Sequence, residues 1–261
     1  MDYTLFPLLV VGGFAAGFMN TVAGGGSMLT LPLLILVGLP ANVANGTNRV
    51  AVLAQNIAAV LGFRSQGVHP WRSGIWLSLP ATLGAVVGAS VAVEVDPLVL
   101  ERIFGIVLIV LCGVVFLQPP DKGKDHESKI TRTRPSLKTF AVFFVVGFWG
   151  GFAQIGVGFL FLGGLLLCAD LNLVHANAVK IFVILIFTAL SLLIFVHNGQ
   201  VWIVPGLVMA AGNAAGGWLA SVLSVRKGAG WVRVFLIASA LLAASKLLGA
   251  ADLAWRLMTG N

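Results

Sequence analysis

The residues best suited to chemistry are a run of glycines and two isolated basic side chains. Ala23-Gly24-Gly25-Gly26-Ser27 interrupts an apolar stretch that resumes at Met28. Glycine weakens a helix and leaves backbone amides accessible, so a helix restarting at Ser27 presents unpaired N–H groups and the positive end of its dipole. Such an end suits an oxyanion. A second break, Gln154-Ile155-Gly156-Val157-Gly158, offers another. Arg49 follows Asn45-Gly46-Thr47-Asn48, and Lys180 follows Asn177-Ala178. Each opens a long apolar run without an acidic neighbour, which leaves its charge available to an anion. The candidate binding residues are Gly24, Gly25, Gly26, Ser27, Asn45, Thr47, Asn48 and Arg49, with Gln154, Gly156, Asn177 and Lys180 from the second half. The competing readings are close helix packing at the glycines and snorkelling of the two cations to an interface.

Asn20, Gln55, Asn56 and Asn213 could line a passage or pair helices, and helix pairing suits Asn213 best, beside Gly212, Gly216 and Gly217. His69, His126 and His197 fall in expected loops without metal-ligand spacing, while His175 precedes the second polar cluster. Cys112 and Cys168 read as small hydrophobes, with no disulfide framework. No Gly-x-Ser-x-Gly, His-Glu-x-x-His or phosphate-loop lysine occurs, and no carboxylates are paired within an apolar run. No catalytic residue, metal or cofactor is therefore expected. A membrane-embedded enzyme acting on lipid would need an intramembrane cluster of carboxylates or histidines.

The elements that position these residues follow from composition. The 261 residues are 59% hydrophobic and only 10% charged. Soluble domains carry about 25% charged residues, so this chain lacks the means to cover a soluble surface. No Asp, Glu, Lys or Arg occurs between Asp2 and Arg49, between Lys138 and Asp170, or between Lys180 and Arg226. A spanning helix needs about 20 apolar residues. The expected fold is an all-α integral membrane protein, with helices near 5–19, 27–38, 43–63, 74–93, 98–117, 139–152, 157–168, 174–196, 202–223 and 231–249. Met1-Asp2-Tyr3-Thr4 leads directly into the first apolar run with no basic leader, and is expected to belong to the mature chain.

The densest cluster of charge lies between Asp121 and Lys138, where six basic residues stand against three acidic ones within a chain of net charge +7. In a membrane protein such a basic loop is retained on the cytoplasmic side, and it implies no nucleic-acid partner. It divides the chain into 1–117, a linker 118–138, and 139–261. The two outer segments read as repeats. Gly17-Phe18 matches Gly147-Phe148, and Arg49 matches Lys180. Gly84 and Gly88 match Gly212 and Gly216, and Arg102-Ile103-Phe104 matches Arg233-Val234-Phe235, with an offset of about 130 residues throughout. As one straight helix, residues 5–38 would be about 50 Å long against a hydrocarbon core of roughly 30 Å. A hairpin of two half-length helices meeting near the membrane middle fits better, and 139–168 invites the same treatment. One hairpin plus three crossings per half gives inverted repeats. That arrangement puts Arg64, Arg72, Arg226 and Lys227 inside and Glu94 and Asp96 outside, in keeping with the positive-inside tendency.

The stretch Ala16-Gly17-Phe18-Met19-Asn20-Thr21-Val22-Ala23-Gly24-Gly25-Gly26-Ser27-Met28-Leu29-Thr30-Leu31-Pro32, with Leu39-Pro40 and Ala44-Asn45-Gly46-Thr47-Asn48-Arg49, resembles the signature of the TauE/SafE family of sulfite and organosulfonate permeases. The second half departs from that pattern: Gln154, Ile155 and Val157 stand where further glycines are often found, and Gly164 replaces a proline. The resemblance implies a transporter of small, often sulfur-containing anions; with the inverted hairpins, the expectation is a carrier in a bacterial-type inner membrane that works by alternating access around a midplane site. A passive anion channel, or a carrier of another small organic acid, is the alternative. The expected partners are the anion and the bilayer, and the reading is compatible with a coupling proton or cation and with a homo-oligomer.

Overall fold

The computed structural model describes residues 3–117, 136–168 and 173–247. Segment 118–135, with His126 and most of the expected cytoplasmic linker, lies outside them, as do the side chains of Cys112, Cys168 and Arg233. Among the described residues every regular element is helical.

Short helices alternate with long ones. The first half contains α1 (Phe6–Val22), α2 (Ser27–Leu36), α3 (Ala41–Ser65), α4 (Trp71–Glu94) and α5 (Pro97–Leu117). The second contains α6 (Leu137–Phe152), α7 (Val157–Cys168), α8 (Leu173–His197) and α9 (Ile203–Leu247). Gly228, with φ 74°, interrupts the helical geometry of α9. Local chemistry sets several boundaries. Asp96 Oδ1 accepts from Leu98 N at 2.8 Å and caps α5, and Ser136 caps α6 by accepting from Thr139 N at 3.2 Å. Gly38, with φ 98°, closes α2 as Leu39 N donates back to Leu34 O.

Segments Gly74–Glu94, Leu173–His197 and Ile203–Gly228 are long and apolar enough to cross a membrane. At 1.5 Å per residue, helices of 17 and 10 residues for α1 and α2, and of 16 and 12 for α6 and α7, each fall short of a roughly 30 Å core. Each pair folds back on itself. Gly26 at the start of α2 lies against Ala16 and Asn20, and Leu33 further along reaches Gly12. Phe143 and Phe161 pack across the second hairpin with ring centroids 5.3 Å apart and planes tilted by 43°.

Helix packing crosses between the halves. On α1, Gly13 and Gly17 meet the backbone of Met209 and Asn213 on α9, while Gly212 and Gly216 of α9 meet Val10 and Phe14. On α6, Gly147 and Gly151 meet Ala81 and Ala85 on α4, while Gly84 and Gly88 of α4 meet Phe144 and Phe148. Missing Cβ atoms let backbones approach, the usual means of association where lipid removes any hydrophobic drive between helices. The helices group accordingly: α1, α3 and α9 pack as one body and α4, α6 and α8 as another, joined where α3 meets α8.

Polarity is inverted relative to a soluble protein. Ile75, Trp76 and Leu79 of α4, Leu193 of α8, and Leu207 and Trp218 of α9 are exposed, whereas Asn45, Asn48, Arg49, Gln55, Asn177 and Lys180 are fully buried. An apolar exterior over a polar interior is the arrangement a multi-pass membrane protein requires.

Candidate functional site

Two broken hairpins define the site. Where α1 ends, the N–H groups of Ala23 and Gly24 both donate to Met19 O, and Gly24 turns the chain with φ 97°. The second break repeats this geometry: Ala153 N and Gln154 N both donate to Trp149 O, and Gln154 takes φ 59°. Such a conformation is unfavourable for a residue with a side chain. Gly156 follows with φ 64°, and Trp149 Nε1 holds the turn by donating to Ile155 O at 2.8 Å. The breaks touch. A Cβ on Gly24 would overlap the backbone of Gly158, and one on Gly158 would overlap Gly24, while Gly25 lies against the Phe159 ring. The N-termini of α2 and α7 are thereby brought together. Residues 20–27 and 150–158 are all buried, so both breaks are closed off from the surface.

The long helices α3 and α8 grip the other ends of these breaks, each reaching into the opposite half. From α3, Asn45 Nδ2 donates to Phe152 O at 2.7 Å, Arg49 Nη1 donates to Gly150 O at 3.2 Å, and Arg49 Nη2 donates to Gly151 O. The guanidinium also lies 4.3 Å from the centre of the Phe195 ring. From α8, Asn177 Nδ2 donates to Val22 O at 3.1 Å. Lys180 Nζ donates to Asn20 O and Thr21 O, each at 3.2 Å, and to Asn177 Oδ1 at 2.7 Å. The last carbonyls of a helix have no intrahelical donors and carry the negative end of its dipole, so a cation there is well placed. The sequence leaves both charges without a local partner. Backbone oxygens of the opposite half supply one in each case, so neither charge stands free.

The other candidates divide. Asn48 joins the first break by donating from Nδ2 to Ser27 Oγ at 3.4 Å. Gln154 is tied to α8 through Nε2 donating to Thr188 Oγ1 at 3.0 Å. Thr47 is directed elsewhere: its Oγ1 accepts from Trp202 N at 2.9 Å and anchors the start of α9. Among the polar residues with two readings, Asn20 and Gln55 bond to each other at 2.7 Å, and Gln55 continues to Thr21 and Asn56. Asn213 lies in the α1–α9 contact, against Gly13 and Gly17. Phe195, Thr188 and Trp149 escape sequence reasoning. Thr188, one of few polar residues in an apolar helix, carried the only signal.

Buried polar atoms remain uncommitted around the breaks. Asn48 Oδ1, Arg49 Nε, Gln154 Oε1 and Thr30 Oγ1 have no hydrogen-bond partner among the described residues. A buried polar group without a partner is costly, and one at a functional site calls for a ligand or solvent to meet it. Six helices, α1 to α3 and α6 to α8, contain no Asp or Glu. The interior thus has amide dipoles, amide side chains and two cations, an inventory that can hold an anion.

A protein-family model described as "Sulfite exporter TauE/SafE" matches residues 9–247. A probable membrane transporter protein ORF9 from Sinorhizobium sp is 28% identical over 248 residues, covering 95% of this chain and 94% of that one. A probable membrane transporter protein from Xylella fastidiosa (strain 9a5c) is 31% identical over 216 residues, covering 82% and 81%. The more distant probable membrane transporter protein YunE of Bacillus subtilis (strain 168) is 23% identical, covering 84% and 88%. No solved structure matches the chain.

Proposed function

Since the chain belongs to the TauE/SafE family of membrane transporters, we propose that it carries a small, sulfur-containing anion such as sulfite or an organosulfonate by alternating access. The site lies where the two breaks meet. Backbone amides at the starts of α2 and α7 face the anion, Ser27, Asn48 and Gln154 supply polar side-chain contacts, and Arg49 and Lys180 provide positive charge from behind the helix ends.

The observation that carries this reading is the contact between Gly24 and Gly158, which joins two helix N-termini in an interior with no buried carboxylate among the described residues. Burial of both breaks favours a carrier over an open pore. We take residues 1–117 and 139–261 as inverted repeats joined by a cytoplasmic linker, in an inner membrane. The support is reciprocity: α3 grips the end of α6 as α8 grips the end of α1, and α4 packs on α6 as α9 packs on α1. Broken helices meeting at the interface of two repeats are a recurring plan for substrate sites in transporters. Transport follows when one packed body moves against the other along the α3–α8 seam.

A thermal-shift screen of purified protein tests the site. Sulfite, sulfate, ethanesulfonate, sulfoacetate, taurine and simple carboxylates are compared on the wild type, Asn48→Ala and Arg49→Ala. The expected result is stabilisation by a sulfur oxyanion, weakened in Asn48→Ala and lost in Arg49→Ala. No stabilisation of the wild type by any of these anions would sink the proposal.

A further inference from the structure

The two grips share an asparagine donor and a pair of backbone acceptors at a helix end, and differ in the basic residue. Arginine keeps its proton in any protein setting, whereas a lysine can lose one when buried. We propose that Lys180 carries a coupling proton, held while the grip on α1 is closed over a bound anion and released to water when it opens. This rests on the anion reading above and adds the co-transported species.

The geometry at Nζ requires the charged form. An ammonium has three N–H donors, and Nζ has three oxygen acceptors: Asn20 O, Thr21 O and Asn177 Oδ1. A neutral amine has two donors and a lone pair, so one of these oxygens would lose its bond and face the lone pair. Closing the grip and binding the proton are therefore one event. All three acceptors belong to uncharged groups. On the elements packed against α8 the described ionisable side chains are Arg49 and Arg64 of α3, Glu94 of α4, Lys138 of α6 and Arg226 and Lys227 of α9, while α1 carries none. His175 and His197 lie on α8 itself. The three hydrogen bonds of Nζ go to none of them.

Charge balance then sets the direction. Loaded with a monovalent anion, the interior carries Arg49 and Lys180 positive and the anion negative, a net single positive charge. When the anion leaves, Lys180 loses its counter-charge. The N–H bond breaks, the electron pair stays on nitrogen, and the proton passes to water on the same side. The empty carrier returns with Arg49 charged and Lys180 neutral, again a net single positive charge. Anion and proton therefore cross together in one direction.

Ethanesulfonate is the preferred probe, because its own charge is constant across the neutral range and any proton taken up belongs to the protein. Where only sulfite binds, sulfite is used with its own protonation subtracted. In weakly buffered solution with a pH dye, wild-type protein should take up one proton for each anion bound. In Lys180→Arg, which keeps the charge, whatever anion is bound should be bound without proton uptake, and in proteoliposomes whatever anion uptake remains should no longer respond to a pH gradient. Lys180→Gln, which is neutral at every pH and adds no titratable group, should also show no proton uptake with whatever anion it binds. This second variant keeps the test decisive if the arginine variant misfolds. Anion binding by the wild type without proton uptake, or uptake that persists in either variant, overturns the assignment and leaves the anion site standing. Failure of every anion to shift the wild type overturns the site itself, and is read without the dye.

Discussion

At the scale of single residues, the contact between the two breaks is the most exacting feature. Gly24 combines a left-handed φ with backbone contact to Gly158, so an added methyl group meets both penalties. Gly24→Ala should destabilise the protein by about 1–3 kcal/mol from the backbone conformation alone, with the overlap adding to it. Gly158→Ala suffers the overlap without the unfavourable φ. Gly163, further along α7, has nothing within 4 Å of where its Cβ would lie, and Gly163→Ala should be neutral or stabilising by up to about 1 kcal/mol. Thermal unfolding in detergent should rank the variants in that order, and loss of transport should accompany only the first two. The sequence makes the glycine run, the two amide clusters and the two cations legible, because each is a local anomaly in an apolar chain. It cannot reveal their partners. Arg49 donates to carbonyls about a hundred residues away, and backbone oxygens look alike in any sequence. Nor does it show that Gln154 takes a conformation more natural to glycine.

Among elements, the glycines divide by task. Gly84 and Gly88 on α4, and Gly212 and Gly216 on α9, have no ligand to approach; they let α6 and α1 come close. Leucine at Gly84 or at Gly212 must push those backbones apart. Each substitution should cost about 1–3 kcal/mol or more, and by similar amounts, because the two interfaces share one construction. Denaturant or thermal unfolding of the pair measures this, and a large loss at one position with none at the other would contradict the equivalence. Helix positions were readable to within about a turn, since apolar runs and glycine breaks mark them. The end of α1 lies three residues beyond the expected one: it continues through Asn20 and Thr21 to Val22, polar residues accommodated because Gln55 and Lys180 meet them inside. Thr47 shows the same limit, its cluster marking a site while its hydroxyl serves the start of α9.

For the molecule as a whole, the packed bodies and the sequence halves are different partitions. The first half gives α4 to the second body, and the second half gives α9 to the first. Residues 1–117 expressed alone should fail to accumulate as folded protein, and so should 136–261, since each lacks the helix that covers its glycine face. Expressed together, they should co-purify and restore the transport activity of the intact chain. Recovery of a folded, monodisperse half on its own would show that the exchange of helices is dispensable. The exchange also imposes an order of events on synthesis. α1 leaves the ribosome long before the surface it packs against, α9, which begins only at Ile203. Throughout translation of everything between, Gly13 and Gly17 must be sheltered by lipid or by the insertion machinery. A chain that terminates before Ile203 leaves the glycine face of its first helix permanently uncovered, a mark that separates an unfinished copy from a complete one.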